Sequence, residues 1–415
     1  MATIRPVRGT HDLFGETIRR HRHVIDTGRA TAALYGYEEI ATPIFEFTEV
    51  FKRSLGDTSD VVTKEMYTFE DRGGESLTLR PENTASVARA IISNGLLQSP
   101  PLKLFYAGPM FRYERPQKGR LRQFHQIGVE LIGAPQPLGD VEVIAIGAHI
   151  LDQLGIADLV TLELNTLGDP ESRQAYREQL VRYLDDHRDR LSEDSRLRLE
   201  RNPMRILDSK NEDDRRIVAA APKLEASLNQ ASRDFFAEVR ARLDELGITY
   251  RLNPHLVRGL DYYTHTAFEF TTTALGAQGA VIAGGRYDGL VEEIGGPSTP
   301  GVGWAAGVER LALLATKEPV ATRPVAIVPI GSAAEAEARR LAAELRHGGI
   351  AVELAFSGKP GQRMKRADRA NARFALSLGD VELESGMLKL RDLDSGTETT
   401  VERSRIAAHV ADVQQ

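Results

Sequence analysis

Charged and amide side chains recur at alternate positions in the segment FRYERPQKGRLRQFHQIGVE, residues 111–130. Alternate residues of an extended strand share one face, and this pattern predicts two strands joined by a long basic loop. Arg112 and Glu114 share a face of the first strand. The second strand places a polar set on one face, Phe124, Gln126, Gly128 and Glu130, and an apolar set on the other, Ile127, Val129 and Leu131. We therefore predict a polar floor beneath a cationic loop, suited to bind an anionic nucleotide and a larger partner.

Other short segments add polar groups where a ligand could be held. TLRPENTA places Glu82 and Thr84 at the start of a predicted helix, where free backbone N–H groups can fix a small ligand. The alternative is a capping box without a ligand. VRGLDYYTHTAFEF places Arg258 beside two tyrosines and Gly259, which permits close approach; the alternative is an ordinary salt-bridge partner. The turn predicted at Gly284–Tyr287 is either a ligand contact or a tight turn in a sheet.

Several common kinds of site are excluded or disfavoured. No Walker A sequence occurs. GVGWAA, residues 301–306, matches the loose dinucleotide fingerprint, but it follows PSTP rather than a strand, so a Rossmann site is not favoured. The 10 histidines lack an HExxH or comparable ligand spacing, and the absence of cysteine excludes disulfides and thiolate zinc sites. We therefore predict no metal held by protein ligands.

The bulk composition is that of a soluble globular protein. At 415 residues, with 41% hydrophobic and 27% charged residues, the chain is long enough for about two to four domains. No apolar run approaches the roughly 18 residues of a membrane span, and the first residues lack an apolar signal region. We expect neither membrane association nor export, and the zero cysteines fit a reducing cytoplasm. With a net charge of −6, any polyanion partner must bind local basic patches.

The spacing of apolar residues predicts an α+β protein of more than one domain. Residues 1–320 combine strands and helices, with helices predicted at 18–34, 81–94 and 305–314 and a hairpin at 66–79. Residues 169–249 interrupt this part; they are dense in Arg, Asp, Glu and Leu at helical spacing, and we interpret them as a helical insertion. Beyond a polar linker, residues 324–415 have a β-α-β-α-β pattern that predicts a small α/β domain.

Several of these blocks resemble one family in order and over nearly the whole chain. They are RPVRGTHDLFG, KEMYTFEDRGGESLTLRPENTA, FRYERPQKGRLRQFHQIGVELIG, LVRGLDYYTHTAFEF and GGRYDGLVEEIGG with GVGWAAGVERL. They are similar to the bacterial type of histidyl-tRNA synthetase, a class II aminoacyl-tRNA synthetase. The resemblance implies a class II catalytic domain, an antiparallel sheet flanked by helices, in residues 1–320 around the insertion. It implies an anticodon-binding domain in residues 324–415.

The resemblance also implies an activity and its partners. The family joins L-histidine to tRNA(His) at the expense of ATP, releasing AMP and diphosphate, by way of histidyl-adenylate. The expected partners are therefore tRNA(His), histidine and ATP with Mg²⁺, without a metal held by the protein. Class II enzymes of this type form homodimers through motif 1, which is found here around Thr42-Pro43.

The resemblance also implies roles for individual residues, at the positions of this sequence that match the motifs of the family. Arg112 is expected to bridge the α-phosphate and the carboxylate of the amino acid, Arg310 to lie on the γ-phosphate side, and Arg258 to offset charge at the α-phosphate. Phe124 is expected to stack on adenine with Glu114 at the adenine edge, which completes the ATP set of Arg112, Glu114, Phe124 and Arg310. The residues expected to bind histidine are Glu82, Asn83, Thr84, Arg112, Gln126, Glu130, Arg258, Tyr262, Tyr263 and Tyr287.

Contacts with tRNA are expected in two places. The motif 2 loop, residues 115–123, offers Arg120 and Arg122, and a C-terminal helix offers Arg363, Lys365, Arg366 and Arg369. A solvated helix face is the alternative for the second group. A non-catalytic regulatory subunit of ATP phosphoribosyltransferase is the main alternative function, although that relative lacks the anticodon domain and the RGLDYY segment. A class II synthetase for proline or threonine is another alternative.

Overall fold

The computed structural model describes residues 3–56, 59, 61–116, 120–209, 211–257, 260, 262–276, 279–317, 319 and 321–414. Two compact units divide the chain, Met1–Pro319 and Val320–Gln415. Across the described residues, none of the helices combines the length and the apolar character that crossing a membrane requires.

The first unit is built on a large mixed sheet. Its strands are β1 (Glu38–Glu39), β2 (Phe45–Phe47), β3 (Tyr67–Glu70), β4 (Ser76–Leu79), β5 (Leu102–Phe111), β6 (Gln123–Ile132), β7 (Thr161–Thr166), β8 (Arg251–Leu252), β9 (Thr264–Thr271), β10 (Ala280–Arg286) and β11 (Gly301–Gly307). Eight of them form a sheet in the order β1-β5-β6-β11-β10-β9-β7-β8, and β2-β4-β3 form a small second sheet. The inner pairs of the large sheet are antiparallel as predicted, whereas the edge pairs β1-β5 and β7-β8 are parallel.

Helices cover this sheet and extend from it. They are α1 (Gly15–Leu34), α2 (Thr48–Leu55), α3 (Thr84–Ser93), α4 (Pro137–Gln153), α5 (Pro170–Asp185), α6 (Glu193–Arg201), α7 (Glu212–Val218), α8 (Gln230–Glu245), α9 (Leu290–Glu293) and α10 (Val308–Leu314). Helices α1, α4 and α10 contribute to one apolar core with Ile127, Val129 and Leu131 of β6. The predicted parity of β6 is therefore confirmed: one face is core, and the opposite face is left for polar side chains.

Helices α5 to α8 lie between β7 and β8 in the chain. Helices α5, α6 and α7 have a separate apolar cluster, which includes Tyr176, Leu180 and Ile217, whereas Val239 and Leu243 of α8 belong to the core of the large sheet. Asp169 caps α5, because its side chain accepts a hydrogen bond from the backbone N–H of Ser172 at 2.8 Å. Pro170 follows as the first helical residue, as the Asp-Pro sequence predicts.

Three local predictions are corrected by the structure. The helix predicted from residue 305 begins at Val308, because β11 pairs with β10 through Ala306 and with β6 through Gly307. The helix predicted from residue 81 begins at Thr84, where the Glu82 carboxylate accepts the first free N–H groups. Gly284 and Gly285 lie in strand β10 and not in a turn. A Cβ on Gly284 would lie 2.2 Å from the carbonyl oxygen of Gly303, so close pairing with β11 requires glycine there.

The second unit is a smaller α/β domain. Its elements are β12 (Val325–Pro329), α11 (Ser332–His347), β13 (Val352–Leu354), α12 (Pro360–Arg369), β14 (Phe374–Leu378), α13 (Asp380–Ser385), β15 (Met387–Asp392), β16 (Glu398–Glu402) and α14 (Ile406–Gln414). The sheet order is β13-β12-β14-β15-β16, with the first three strands parallel and the last two antiparallel. The first half therefore follows the predicted β-α-β-α-β pattern.

Candidate active site

A cavity opens on the polar face of the large sheet, above β6, β10 and β11 and beside the start of α3 and α10. Its walls carry most of the residues that the sequence predicts for the site: Glu82, Thr84, Arg112, Glu114, Arg120, Phe124, Gln126, Tyr262, Tyr263 and Arg310. Residues from four separate stretches of the chain thus converge on one space.

One end of the cavity is cationic. The Arg112 Nε donates a hydrogen bond to the Pro81 carbonyl oxygen at 2.8 Å, and its guanidinium lies 5.3 Å from the centre of the Phe124 ring. The Arg310 Nη1 donates to the Ala280 carbonyl oxygen at 2.7 Å. Burial and the positive charges of Arg120 and Arg112 lower the pKa of the Arg310 guanidinium, while Glu114 opposes them. Fixed, closely spaced guanidinium groups of this kind suit a polyphosphate.

Two buried carboxyl groups lie on either side of Thr84. Glu82 lines the cavity, whereas Glu130, like Tyr287, is not among its lining residues and is linked to the cavity through Thr84. Both oxygens of Glu82 accept backbone hydrogen bonds at the start of α3, from Thr84 at 2.7 Å and Ala85 at 2.9 Å. Glu130 is fully buried and accepts hydrogen bonds from the hydroxyls of Thr84, at 2.7 Å, and Tyr287. Each carboxylate oxygen has two lone pairs, so both groups keep acceptor capacity beyond these bonds.

Glycines of β11 make room for this arrangement. A Cβ at Gly303 would lie 1.9 Å from Oε2 of Glu130, and a Cβ at Gly301 would lie 2.3 Å from the Tyr287 ring. The glycines of GVGWAA therefore permit close packing against a buried carboxyl and a buried phenol. This is a different use of the motif from phosphate binding in a turn, which the sequence already disfavoured.

Amide and aromatic groups complete this part of the site. Oε1 of Gln126 is buried in the cavity wall and has no hydrogen-bond partner within the described ranges. A buried acceptor of this kind is costly unless a ligand or water satisfies it. The rings of Tyr262 and Tyr263 are 4.6 Å apart, and Tyr262 meets Tyr287 edge-on at 5.6 Å. Burial raises the pKa of the Tyr262 and Tyr287 hydroxyls, so both remain hydrogen-bond donors at neutral pH.

Some predicted residues lie elsewhere. The Asn83 side chain accepts hydrogen bonds from the Thr42 hydroxyl at 2.7 Å and from Arg80 at 3.0 Å. Arg122 places its guanidinium 4.0 Å from the centre of the Tyr113 ring. Arg120, by contrast, lines the cavity, where it forms an ion pair with Glu114. Arg258 lies outside the described residues, so its role remains an expectation from the resemblance.

A group of polar side chains adjoins the cavity, and one of them, Glu309, lines its wall. His21, His125 and Glu309 offer possible metal-ligand atoms within 4.8 Å of one another. Glu309 accepts hydrogen bonds from the His125 backbone N–H at 2.9 and 3.0 Å, and its Oε1 lies 2.9 Å from the His125 Nδ1. We interpret this group as a clamp between β6 and α10. It fixes the start of the helix that carries Arg310.

Comparison with known proteins decides the family. The family model for histidyl-tRNA synthetase matches residues 9–311, and the model for the anticodon binding domain matches residues 324–412. The chain belongs to the histidyl-tRNA synthetase family. It is 63% identical over 402 residues to the histidine–tRNA ligase of Rhodospirillum rubrum, covering 97% of each chain. The crystal structure of apo histidyl-tRNA synthetase from S. aureus has a TM-score of 0.82 at 37% identity and covers 98% of this chain and 99% of that one.

This synthetase is therefore a class II enzyme, as the resemblance implied, and the regulatory alternative is not favoured. A Bacillus halodurans structure described as an ATP phosphoribosyltransferase regulatory subunit/histidyl-tRNA synthetase has a TM-score of 0.66 at 22% identity, covering 91% of this chain and 99% of that one. That likeness concerns the fold alone. The relatives that match at high identity over the full length are histidine–tRNA ligases.

The stability of the synthetase should depend on pH through Glu130. Burial is the largest cause that raises the pKa of this carboxyl to about 8, and the charge of Glu82 raises it further. Hydrogen bonds from Tyr287 and Thr84 act in the opposite direction and lower it. Above pH 4.5 the unfolded chain loses this proton while the folded chain keeps it. The free energy of unfolding should therefore fall as the pH rises toward 8, by at most about 1.4 kcal/mol per pH unit for one proton.

Glu130→Gln tests this dependence, because the amide does not titrate. Between about pH 5 and about pH 8, the melting temperature of the wild type should fall more steeply than that of the variant. Differential scanning calorimetry of both proteins in matched buffers measures the difference. Parallel curves would contradict a raised pKa at Glu130.

Sequence reasoning missed two polar groups that hold the synthetase site together. The first is the Glu309–His125 contact: His125 lies on the core-facing parity of β6, and a polar residue at such a position is the signal that could have revealed it. The second is Arg286, fully buried and paired with Asp140 and Asp288. No sequence pattern marks Asp140 as the partner of Arg286, because 145 residues separate them.

Proposed function

We propose that this synthetase activates L-histidine with ATP and transfers the histidyl group to tRNA(His). A carboxylate oxygen of histidine attacks the α-phosphorus, the bond from that phosphorus to the bridging oxygen breaks, and diphosphate leaves with its electron pair. The arrangement that best supports this reaction is the single cavity lined by Arg112, Arg310, Glu82 and Gln126. The buried Glu130 is hydrogen-bonded to Thr84 in its wall.

Negative charge builds up on the α-phosphate in the transition state and is offset by fixed donors. Arg112 is proposed to pair with both the α-phosphate and the histidine carboxylate, and Arg310 with the γ-phosphate. Arg258 is proposed, by resemblance alone, to act at the α-phosphate. Phe124 would stack on adenine, with Glu114 at the adenine edge. Mg²⁺ is expected to enter with ATP, because phosphate oxygens are the hard ligands that it prefers.

The two carboxyl groups and their neighbours are proposed to recognise histidine. The ammonium group needs acceptors, and Glu82, the hydroxyl of Thr84 and the unsatisfied Oε1 of Gln126 supply them. Imidazole needs a partner for each nitrogen, for which we propose Glu130 and Tyr263, with Tyr262 and Tyr287 packed around them. Asn83 is no longer proposed to contact histidine, because its side chain is bonded to Thr42 and Arg80.

Pyrophosphate exchange with one amino acid at a time tests the proposed activity. Histidine alone should support ATP–pyrophosphate exchange, and proline and threonine should not. Exchange with proline or threonine would identify a different synthetase. Lack of exchange with any amino acid, from a folded protein, would favour a regulatory role.

Binding of tRNA is proposed at the motif 2 loop and in the C-terminal unit, which matches the anticodon binding domain. Lys365, Arg366 and Arg369 are exposed on α12. Arg363 is withdrawn from this set, because it is buried and donates hydrogen bonds to the carbonyl oxygens of Gly358, at 2.7 Å, and Pro329, at 3.2 Å. Aminoacylation that weakens as salt rises would support phosphate contacts.

We also propose a homodimer that works in the cytoplasm. Phe45, Phe47 and Phe69 of the small sheet are 47, 53 and 45% exposed, and a second copy would bury them. This sheet adjoins Thr42-Pro43 in sequence, where the resemblance implies motif 1. Sedimentation of the purified protein as a monomer at assay concentrations would contradict the dimer. The zero cysteines support a reducing compartment.

A further inference from the structure

Phe356 lies in the connection between β13 and α12, and 92% of its surface is exposed. A single exposed apolar residue is common on protein surfaces, so exposure alone carries no functional argument. The groups around this ring do support a functional argument. The guanidinium of Arg366 lies 5.4 Å from the ring centre, within the range of a cation–π contact. The ring is thus supported from one side and remains open to solvent.

The loop that carries Phe356 is held from beneath by a buried arginine. Arg363 donates to the Gly358 carbonyl oxygen at 2.7 Å and to the Pro329 carbonyl oxygen at 3.2 Å, and it forms an ion pair with Glu335. Gly358 has a φ of +112°, a conformation that other residues rarely adopt, so the turn beside the ring requires glycine. These contacts give the exposed ring a fixed support.

The position and charge of this loop suit a single-stranded nucleic acid. The loop follows the carboxyl end of the parallel strand β13, and Pro329 marks the same end of β12, the edge at which α/β sheets bind ligands. Lys359, Lys365 and Arg369 are exposed on and beside α12. Proteins that bind single strands combine such cations with aromatic rings on which bases stack.

We propose that Phe356 stacks on an unpaired base of the anticodon loop of tRNA, with Arg366 on the other side of the ring. The proposal deepens the proposed function and rests on it, because it names one contact through which the C-terminal unit binds its RNA. The neighbouring cations are assigned to the phosphates of the same loop. A nucleic acid is favoured over a protein partner by the exposed cations Lys359, Lys365 and Arg369 on and beside α12.

Phe356→Ala tests the stack in aminoacylation of full-length histidine tRNA. We expect kcat/KM for tRNA to fall roughly 5- to 140-fold, the range for the loss of one base–aromatic stack, with histidine-dependent pyrophosphate exchange unchanged. Phe356→Trp should retain the activity, since indole also stacks. His347→Ala is the matched control, because it removes an exposed ring at the end of α11, before β13 begins at the opposite edge of the sheet.

Transcripts with one base removed at each anticodon-loop position identify the stacked base. With one of these transcripts, Phe356→Ala and the wild type should have the same kcat/KM for aminoacylation, because the stack is already absent. The salt dependence of tRNA binding should be the same in Phe356→Ala and the wild type, whereas Lys365→Ala should reduce its slope.

The proposal is overturned if Phe356→Ala charges intact tRNA like the wild type. It is also overturned if His347→Ala lowers kcat/KM for tRNA as much as Phe356→Ala does. The same holds if Phe356→Ala lowers kcat/KM with every abasic transcript. Absence of histidine-dependent exchange in the wild type would instead refute the proposed function, so the two failures are distinguishable.

Discussion

Glu130→Ala is expected to lower kcat/KM for histidine in pyrophosphate exchange by about 10⁴-fold. A site built to hydrogen-bond a polar ligand group discriminates by roughly 10⁴- to 10⁵-fold when that pairing is lost. The carboxyl is fully buried and bonded to Thr84 and Tyr287. Its removal therefore takes away the proposed imidazole partner and also leaves those two hydroxyls without their acceptor.

The loss should be specific to the amino acid. KM for ATP should change little, because the guanidinium groups at the cationic end of the cavity remain in place. Glu130→Gln, which preserves the volume of the side chain, separates recognition from packing: it should fold like the wild type yet still bind histidine poorly. A kcat/KM for histidine within tenfold of wild type in Glu130→Ala would refute the assignment of this carboxyl to the imidazole.

Arg112→Ala is expected to slow pyrophosphate exchange by about 10²- to 10³-fold, the range for loss of one transition-state donor. The main effect should be on kcat, because charge on the α-phosphate increases as the new bond forms. Arg112→Lys should recover little, since an ammonium group does not reproduce the two-pronged contact of a guanidinium. Steady-state exchange at saturating histidine and ATP measures both variants.

Arg182→Ala is a suitable control for the loss of a positive charge. Its side chain is 78% exposed on α5, and among the described residues it forms a distant surface pair with Glu178, 3.9 Å away. It should leave exchange at the wild-type rate. An Arg112→Ala enzyme that also exchanged at that rate would show that the α-phosphate is stabilised without Arg112.

Strand periodicity and family motifs predicted the parts of the site that depend on local sequence. The alternation along β6 correctly separated the core residues Ile127 and Val129 from the cavity residues Phe124 and Gln126. This succeeded because a strand with one buried face has only one register in which its apolar side chains are all covered. Capping chemistry likewise placed the start of α5 at Asp169-Pro170.

What sequence could not predict depends on contacts between distant segments. Arg363 resembles its neighbours on α12 as a basic helical residue, but its partners, Pro329 and Glu335, come from another strand and another helix. The role of Asn83 depends similarly on Thr42 and Arg80. Helical spacing shows which side chains share a face, but it does not show which carbonyl groups the fold brings to that face.

The pair of buried carboxyl groups gives the amino-acid end of the cavity a further property. Burial is the largest cause of the raised pKa at Glu82 and at Glu130. The charge of Glu82 is one of the causes that raise the pKa of Glu130 to about 8. An ammonium ion beside Glu82 would offset that charge, so that histidine uptake would release protons from Glu130 into the surrounding buffer. The heat of association would then include the ionisation enthalpy of whichever buffer accepts those protons, and substrate affinity would increase as the solution is made less acidic.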